Sequence, residues 1–137
     1  MTHVLVTGGA GYVGSHICRL LHQQGYQPVV LDSLARGQET LVKWGALEVG
    51  DISDVDWVRA LIQRYAPEAV VHCAAYTLVT ESLVNPAAYY CNNMIGTFSL
   101  LNAMVAEGVR NLVHTGTAVL YGDAGSAPVR EDQPPRP

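Results

Sequence analysis

The amino-acid sequence predicts an α/β fold with a doubly wound parallel sheet, and two features of the chain carry that prediction. Short runs rich in Val, Ile and Leu alternate with longer segments whose apolar residues recur at helical spacing. The strand runs are apolar throughout, which is typical of parallel strands buried on both faces. A length of 137 residues, 49% of them hydrophobic, is enough for one domain with a buried core.

The first part of the chain predicts three strands and one helix. HVLVT at 3–7 is apolar, β-branched and closed by glycines, so it predicts the first strand. Segment 12–25 predicts a helix, because apolar residues recur at helical spacing until a glycine ends the pattern. QPVVLD at 27–32 and ALEVGD at 46–51 predict the second and third strands.

The second part continues the alternation. Segment 54–65 predicts a helix, since Asp54 can cap it and its apolar residues share one face. EAVVHCAA at 68–75 predicts the fourth strand. Segment 85–108 predicts one long helix, because Asn and Pro open it and Gly closes it. NLVHTG at 111–116 predicts the fifth strand.

Domain organisation follows from where these patterns stop. We expect residues 1–122 to form one domain, and the Pro- and Gly-rich segment 123–137 to be a loop.

Composition and charge exclude several classes of protein. A net charge of −4 argues against nucleic acid or an anionic membrane surface as a partner. Three widely spaced cysteines without a Cys-x-x-Cys pair indicate a reduced compartment, so we expect a cytoplasmic protein. No apolar run is long enough to span a bilayer, and no signal peptide is visible. The His and Cys residues lack metal-binding spacing, so no metal site is expected.

The most specific motif is VTGGAGYVGSH, which lies between the first strand and the first helix. Gly8, Gly11 and Gly14 follow one another at a spacing of three. The first glycines permit a tight turn with positive φ, and Gly11 lets a pyrophosphate approach the backbone. Gly14 allows the helix to pack closely on the strand. The N–H groups at the helix start, around Tyr12 and Val13, would then face the phosphate charge.

A glycine-rich turn alone could be a plain strand-to-helix connection, but Asp32 favours a dinucleotide site. It lies 18 residues after Gly14, at the end of the second strand. A carboxylate there can accept bonds from both adenosine ribose hydroxyls and repels a 2′-phosphate, so NAD is favoured over NADP. Arg36 lies nearby and could weaken this preference. A P-loop is excluded, because Ser15 and His16 stand where that motif needs lysine.

With these motifs in place, the sequence resembles the extended short-chain dehydrogenase/reductases, most closely the UDP-glucose 4-epimerases. The matching segments are VTGGAGYVGSH, VVLDSL, EVGDIS, AVVHCAA, ESLVNPAAYYCNNMIGTFSLLNAM, NLVHTGTAVLYGD and VREDQP. The resemblance implies a Rossmann-type sheet, truncated after about five strands. It covers less than half of a typical family member, so the C-terminal substrate domain is expected to be absent.

The resemblance also implies cofactor contacts at the strand ends. Asp51 and Ile52 would contact adenine, although an acid at a strand end is often a simple turn cap. Small Ala74 and Ala75 would leave room for the cofactor. Asn93 matches an asparagine near the nicotinamide, and a mid-helix asparagine suits a buried hydrogen-bonding role. The remaining implied cofactor contacts are Ser33, Arg36 and Thr115.

The implied reaction is the interconversion of UDP-galactose and UDP-glucose through a 4-keto sugar, with NAD as hydride carrier. Thr117 matches the catalytic Ser or Thr that bonds the sugar 4-hydroxyl, and the alternative is a threonine that caps a turn. The family base is a Tyr in a Tyr-x-x-x-Lys pair, which this chain lacks, since Glu39 precedes its only lysine, Lys43, by four. Thr77 stands where many epimerases have lysine. We therefore expect the 137 residues to be inactive alone.

Other functions remain open at this point. The chain could be a stand-alone NAD-binding module without catalysis, or part of another nucleotide-sugar dehydratase or reductase. Expected partners are a nucleotide sugar in the complete enzyme, and either further copies of the chain or a complementary C-terminal half. A parallel sheet that ends at its fifth strand leaves apolar surface uncovered, which favours such association.

Overall fold

The computed structural model describes residues 1–123 and 125–137. Its centre is one sheet of five parallel strands in the order β3-β2-β1-β4-β5, which confirms the predicted α/β class. The strands are β1 His3–Thr7, β2 Gln27–Asp32, β3 Ala46–Val49, β4 Ala69–His72 and β5 Asn111–His114.

The strand order creates a switch point at the centre of the sheet. The chain winds outward from β1 through β2 to β3, then returns to the other side of β1 as β4. Thr7 of β1 pairs with His72 of β4 at the carboxyl ends of these two strands. The connections diverge at such a position and leave a crevice, which is where open α/β sheets bind ligands.

Helices cover both faces of the sheet. They are α1 Tyr12–Gln23, α2 Val55–Tyr65, α3 Val79–Val84, α4 Pro86–Tyr89 and α5 Gly96–Ala106. A π-helical turn, Tyr90–Ile95, joins α4 to α5, and 3₁₀ turns lie at Glu39–Leu41 and Ala118–Tyr121. Within the described ranges, no helix combines the length and the hydropathy that crossing a membrane requires.

The core is split by the sheet into two layers, because side chains alternate between faces along each strand. One layer packs β-strand residues such as Leu5 and Val70 against Leu61 of α2 and Leu100 of α5. The other packs the remaining strand residues against α1, and its buried members are Val4, Val6, Cys18, Val30 and Val71. The sheet is therefore doubly wound, as predicted.

The strand and helix ends differ from the predicted bounds by small amounts with a clear cause. The predicted strand 68–75 ends at His72, since Gly8 turns away from β1 and its N–H donates to Leu31 of β2 at 2.8 Å. The predicted strands 46–51 and 111–116 likewise end two residues early. The predicted cap of α2 is confirmed, because the Asp54 carboxylate accepts the Trp57 N–H at 3.0 Å.

The long helix predicted over 85–108 is wrong as a single α-helix. The structure divides it into α4, the π-helical turn and α5, ending at Ala106. The π-helical turn ends where the helix passes close to the turn after β3, since a Cβ at Gly96 would lie 2.8 Å from the Ile52 side chain. No element is predicted for residues 76–84, yet α3 forms there, because six residues are too few to show a helical period.

Candidate functional site

Two adjoining clefts lie at the carboxyl ends of the strands. The first, which we name the glycine-loop cleft, is lined by residues that include Gly8, Gly11, Asp32, Arg36, Asp51 and Tyr76. The second, the threonine cleft, is lined by residues that include Thr77, Asn93, Thr97, His114, Thr115 and Thr117. Ala74, Ala75 and Tyr76 line both clefts, so the two form one continuous groove.

The glycine loop is as closely packed as its spacing suggests. Gly8 has a φ of +71°, and a Cβ there would lie 2.6 Å from the Ala74 backbone nitrogen. A Cβ at Gly14 would collide with the Gly8 carbonyl oxygen. Gly11 is the N-cap of α1 and offers no side chain to it, so the first-turn N–H groups remain open to a ligand. Tyr12 and Val13 in this turn are exposed.

Asp32 ties the glycine loop to the loop after β2. Its side chain is nearly buried, at 9% exposure. One carboxylate oxygen, Oδ2, accepts the Ala10 N–H at 3.0 Å, and Oδ1 accepts the Leu34 N–H at 2.9 Å. A carboxylate oxygen has two acceptor positions, so both oxygens can accept a further bond from a ligand hydroxyl. Ser33 lies next to it on the cleft wall.

Asp51 and Ile52 lie at the far side of the same cleft. Asp51 is exposed, and its Oδ1 accepts the Ser53 N–H at 2.8 Å, so the carboxylate does cap a turn. Ile52 is 5% exposed and packs against Gly96 at the start of α5. The pair therefore offers one carboxylate oxygen beside a fixed apolar wall.

Arg36 does not reach toward Asp32 but pairs with Glu81 of α3. Its Nη2 lies 2.7 Å from Oε1 and 2.6 Å from Oε2 of that carboxylate, and its guanidinium stacks 3.9 Å from the Tyr76 ring centroid. Tyr89 adds a hydroxyl 2.9 Å from Glu81 Oε2. The bond from Arg36 holds the pKa of Glu81 below its usual value, and the same bond raises the pKa of Arg36.

Asn93 holds the segment that follows β4. Its Oδ1 accepts the Tyr76 N–H at 2.8 Å, and its Nδ2 donates to the Tyr76 carbonyl at 2.9 Å. Asn92 donates to the same Oδ1 at 2.8 Å. Asn93 thus has the hydrogen-bonding role expected of a mid-helix asparagine, with backbone as its partner. Ala74 and Ala75, which the held segment carries, form the shared wall of the two clefts.

A buried histidine lies beneath this wall. His72 is 1% exposed, and its two ring nitrogens lie 2.6 Å from Thr7 Oγ1 and 2.8 Å from Thr97 Oγ1. The His114 ring is its neighbour on β5, with centroids 5.1 Å apart. Burial, helped by the charge of His114, lowers the pKa of His72 to about 4. A neutral imidazole between two hydroxyls therefore supports the floor of the site.

Thr115 and Thr117 follow β5, as their place in the sequence suggests. The Thr115 hydroxyl donates to the His72 carbonyl at 3.0 Å, which fixes the end of β5 to the end of β4. Thr117 is exposed, and its oxygen accepts the Val119 N–H at 3.2 Å, so it caps the 3₁₀ turn Ala118–Tyr121. Its hydroxyl proton is left to donate into the threonine cleft.

Several residues in or beside the groove were not singled out by the sequence. A Cβ at Gly37 would lie 2.7 Å from Asp32 Oδ1, so this glycine lets the loop close on the carboxylate. Tyr76 and Glu81 acquire their roles only through contacts with distant residues. His72, at a strand end beside Thr7, could have been flagged as a buried polar residue in an apolar run. Across 1–123 and 125–137, no three His, Cys, Asp or Glu side chains are close enough to share a metal ion.

The fold and the groove define a Rossmann-type protein, an α/β class whose ligands bind at the switch point of the sheet. The model of the NAD dependent epimerase/dehydratase family matches residues 4–137. This chain belongs to the NAD dependent epimerase/dehydratase family.

Individual members of this family show which enzymes the chain is similar to. The UDP-glucose 4-epimerase of Rhizobium meliloti is 47% identical over 135 residues, which cover 98% of this chain and 41% of that protein. The UDP-glucose 4-epimerase of Klebsiella pneumoniae is 39% identical over 136 residues, which cover 93% of this chain and 98% of that sequence. A crystal structure of the Brucella ovis UDP-glucose 4-epimerase in complex with NAD is 42% identical, with a TM-score of 0.90, covering 100% of this chain and 42% of that one.

The chain corresponds to only part of the first curated relatives. The chain spans about two fifths of the length of the first curated relatives, 39–41% in the first three. It matches the N-terminal part of UDP-glucose 4-epimerases.

Proposed function

We propose that this chain is the NAD-binding part of a nucleotide-sugar 4-epimerase that interconverts UDP-galactose and UDP-glucose. One observation carries the proposal: Asp32 lines the same cleft as the glycine loop and is bonded to that loop through the Ala10 N–H. The ribose acceptor and the pyrophosphate cradle are thereby held in one rigid unit. The relatives named UDP-glucose 4-epimerase, one of them crystallised with NAD, support the choice of reaction and cofactor.

The groove fits NAD part by part. A Cβ at Gly11 would meet only the Gly8 carbonyl oxygen, at 3.2 Å, so its cleft side is open to a pyrophosphate over the N-terminus of α1. Asp32 would accept the hydroxyls of the adenosine ribose. Asp51 keeps one carboxylate oxygen for the adenine amino group, with Ile52 packed beside it. The nicotinamide would then lie toward the small Ala74 and Ala75.

The threonine cleft is the proposed sugar site. When bound, NAD would serve as the hydride acceptor for the sugar C4 and, once reduced, as the hydride donor. Thr117 would bond the sugar 4-hydroxyl, while its oxygen stays anchored by the Val119 N–H. The base that removes the 4-hydroxyl proton would come from a Tyr-x-x-x-Lys pair in a complementary C-terminal part. Thr77 contributes no positive charge to this cleft, so the sugar nucleotide must be neutralised from elsewhere.

Uncovered apolar surface supports the proposed partners. Val113 on β5 is 60% exposed at the edge of the sheet, where a further strand could pair. A second surface is a stripe of exposed apolar residues along the π-helical turn and α5, namely Tyr90, Met94, Phe98, Leu101 and Val105. We propose that a C-terminal part covers the first surface and that another copy of the chain covers the second.

The compartment belongs to the same proposal. Cys18, Cys73 and Cys91 are all free thiols in the structure. Free thiols are typical of a reducing compartment. We therefore propose that the protein works in the cytoplasm, in galactose metabolism.

Calorimetric titration of the 137-residue chain with NAD tests the proposal. We expect saturable one-site binding. Asp51→Asn should weaken it at least tenfold, since a hydrogen bond to a charged acceptor contributes about 1.5–3 kcal/mol. Asp56→Asn is the matched control, because Asp56 is exposed on α2 and loses the same charge outside the cleft. A folded chain that gives no heat with NAD, or an equal loss in both variants, would overturn the proposal.

A further inference from the structure

The pair formed by Arg36 and Glu81 joins the loop after β2 to helix α3 across the groove. Arg36 lies in the loop after β2, and Glu81 lies 45 residues later on α3, beyond the end of β4. Because β1 separates β2 from β4 in the sheet, the Arg36 side chain is directed away from its own strand end and toward the β4 side. Stacking on Tyr76, at 3.9 Å from the ring centroid, keeps the guanidinium in that position.

Glu81 is itself held in place. The Tyr89 hydroxyl lies 2.9 Å from Glu81 Oε2 and 2.8 Å from the Leu78 carbonyl oxygen, and it accepts the Leu78 N–H at 3.2 Å. The Tyr89 ring also meets the Tyr76 ring edge-on, with centroids 5.6 Å apart. The carboxylate that binds Arg36 is therefore also held by Tyr89, so the ion pair belongs to a larger hydrogen-bonded cluster.

The positive charge of Arg36, which pairs with Glu81, matters because Arg36 lines the glycine-loop cleft. Within the described lining of the glycine-loop cleft, Arg36 is the one cationic side chain. An arginine near the acidic ribose-binding residue is the group that accommodates a 2′-phosphate in NADP-binding relatives of this fold. Arg36 lies four residues after Asp32 and lines the same cleft, so it has the position for that role, but its guanidinium is already neutralised.

We propose that Glu81 is a positioning residue that sets cofactor specificity: it holds Arg36 away from the ribose site, so that the site selects NAD and rejects NADP. This inference rests on the proposed function. Two carboxylates contribute to the discrimination between NAD and NADP. Asp32 repels a 2′-phosphate directly, and Glu81 withholds the cation that would offset that repulsion.

Paired titrations with NAD and NADP test the inference. Glu81→Gln keeps the size of the side chain and removes its charge, so it should strengthen NADP binding at least tenfold and change NAD binding less than threefold. The gain should shrink at 0.5 M NaCl, because a partly exposed charge pair is screened. Glu68→Gln is the matched control, since Glu68 is exposed at the opposite end of β4 and loses the same charge.

The double variant separates positioning from a loss of structure. Arg36→Gln combined with Glu81→Gln should return NADP binding to the wild-type level, because the gain requires the released guanidinium. An unchanged ratio of NAD to NADP affinity in Glu81→Gln, with NAD still bound, would overturn this inference alone. An equal gain in the double variant would do the same. Failure of the wild-type chain to bind NAD would overturn both the proposed function and this inference.

Discussion

The side-chain amide of Asn93 binds both backbone polar groups of Tyr76, at 2.8 Å and 2.9 Å. This two-point contact joins the π-helical turn to the segment after β4, where Ala74 and Ala75 line both clefts. The contact therefore holds the shared wall of the groove, although Asn93 is 17 residues from its partner.

We expect Asn93→Ala to destabilise the chain by about 1–3 kcal/mol, because it leaves the Tyr76 N–H and carbonyl without their partners. Urea unfolding followed by circular dichroism measures the change. Asn102→Ala is the control, since Asn102 is exposed on α5 and an alanine there suits the helix. Equal stability of the two variants would show that the Tyr76 contact is weak in solution.

Two glycines with positive φ, one in the glycine loop and one after α1, offer a matched pair of substitutions. Gly8 and Gly25 both have positive φ, but only at Gly8 would a Cβ meet backbone, 2.6 Å from the Ala74 nitrogen. Gly25→Ala should cost about 1 kcal/mol from the left-handed backbone alone. Gly8→Ala should cost at least twice that in unfolding free energy and should abolish NAD binding. Similar losses in both variants would contradict the close approach of the loop to β4.

His72 should make stability depend on pH. Its folded pKa of about 4 lies below the unfolded value near 6.5, so protons bind the unfolded chain more readily. The stabilisation is complete above pH 6.5 and is lost as the pH falls toward 4, by on the order of 3 kcal/mol. Urea unfolding at pH 7 and pH 4.5 should show this slope. We expect His72→Gln to flatten the slope, while the exposed control His22→Gln keeps it.

The 137-residue chain alone should not convert UDP-galactose to UDP-glucose, because it has no Tyr-x-x-x-Lys pair to act as base. A coupled assay for UDP-glucose, with a full-length UDP-glucose 4-epimerase as positive control, measures this. Turnover by the pure chain would show that another group removes the proton.

Thr117 can be tested once turnover is restored by coexpression with the C-terminal part of the Rhizobium meliloti relative. Thr117→Val should lower kcat about 100-fold or more with little change in KM, since it removes a group that transfers a proton. Thr117→Ser, which keeps the hydroxyl, should retain most of the activity. Thr80→Val is the control, because Thr80 is exposed on α3. A kcat for Thr117→Val near wild type would leave this residue only its role as a turn cap.

Much of the fold followed from local pattern. All five strands and their parallel arrangement were predictable, because each strand is an apolar run and the strands alternate with helical segments. The order of the strands in the sheet came from the structure. The glycine loop and Asp32 were also predictable, since their spacing lies within one strand-helix-strand unit. The division of segment 85–108 was not predictable, because no local pattern marks the π-helical turn, which ends where Gly96 packs against Ile52 of a distant segment.

The sequence by itself determined the sheet, its two buried faces and the turn that opens over the switch point, because hydrophobic period and glycine spacing act over a few residues. Only the tertiary structure decided what each polar group faces. Arg36 follows Asp32 closely in the sequence, yet it pairs with Glu81, which lies 45 residues away. Charged side chains pair with groups that are close in space, and that distance is set by how the sheet brings the segments after separate strands together.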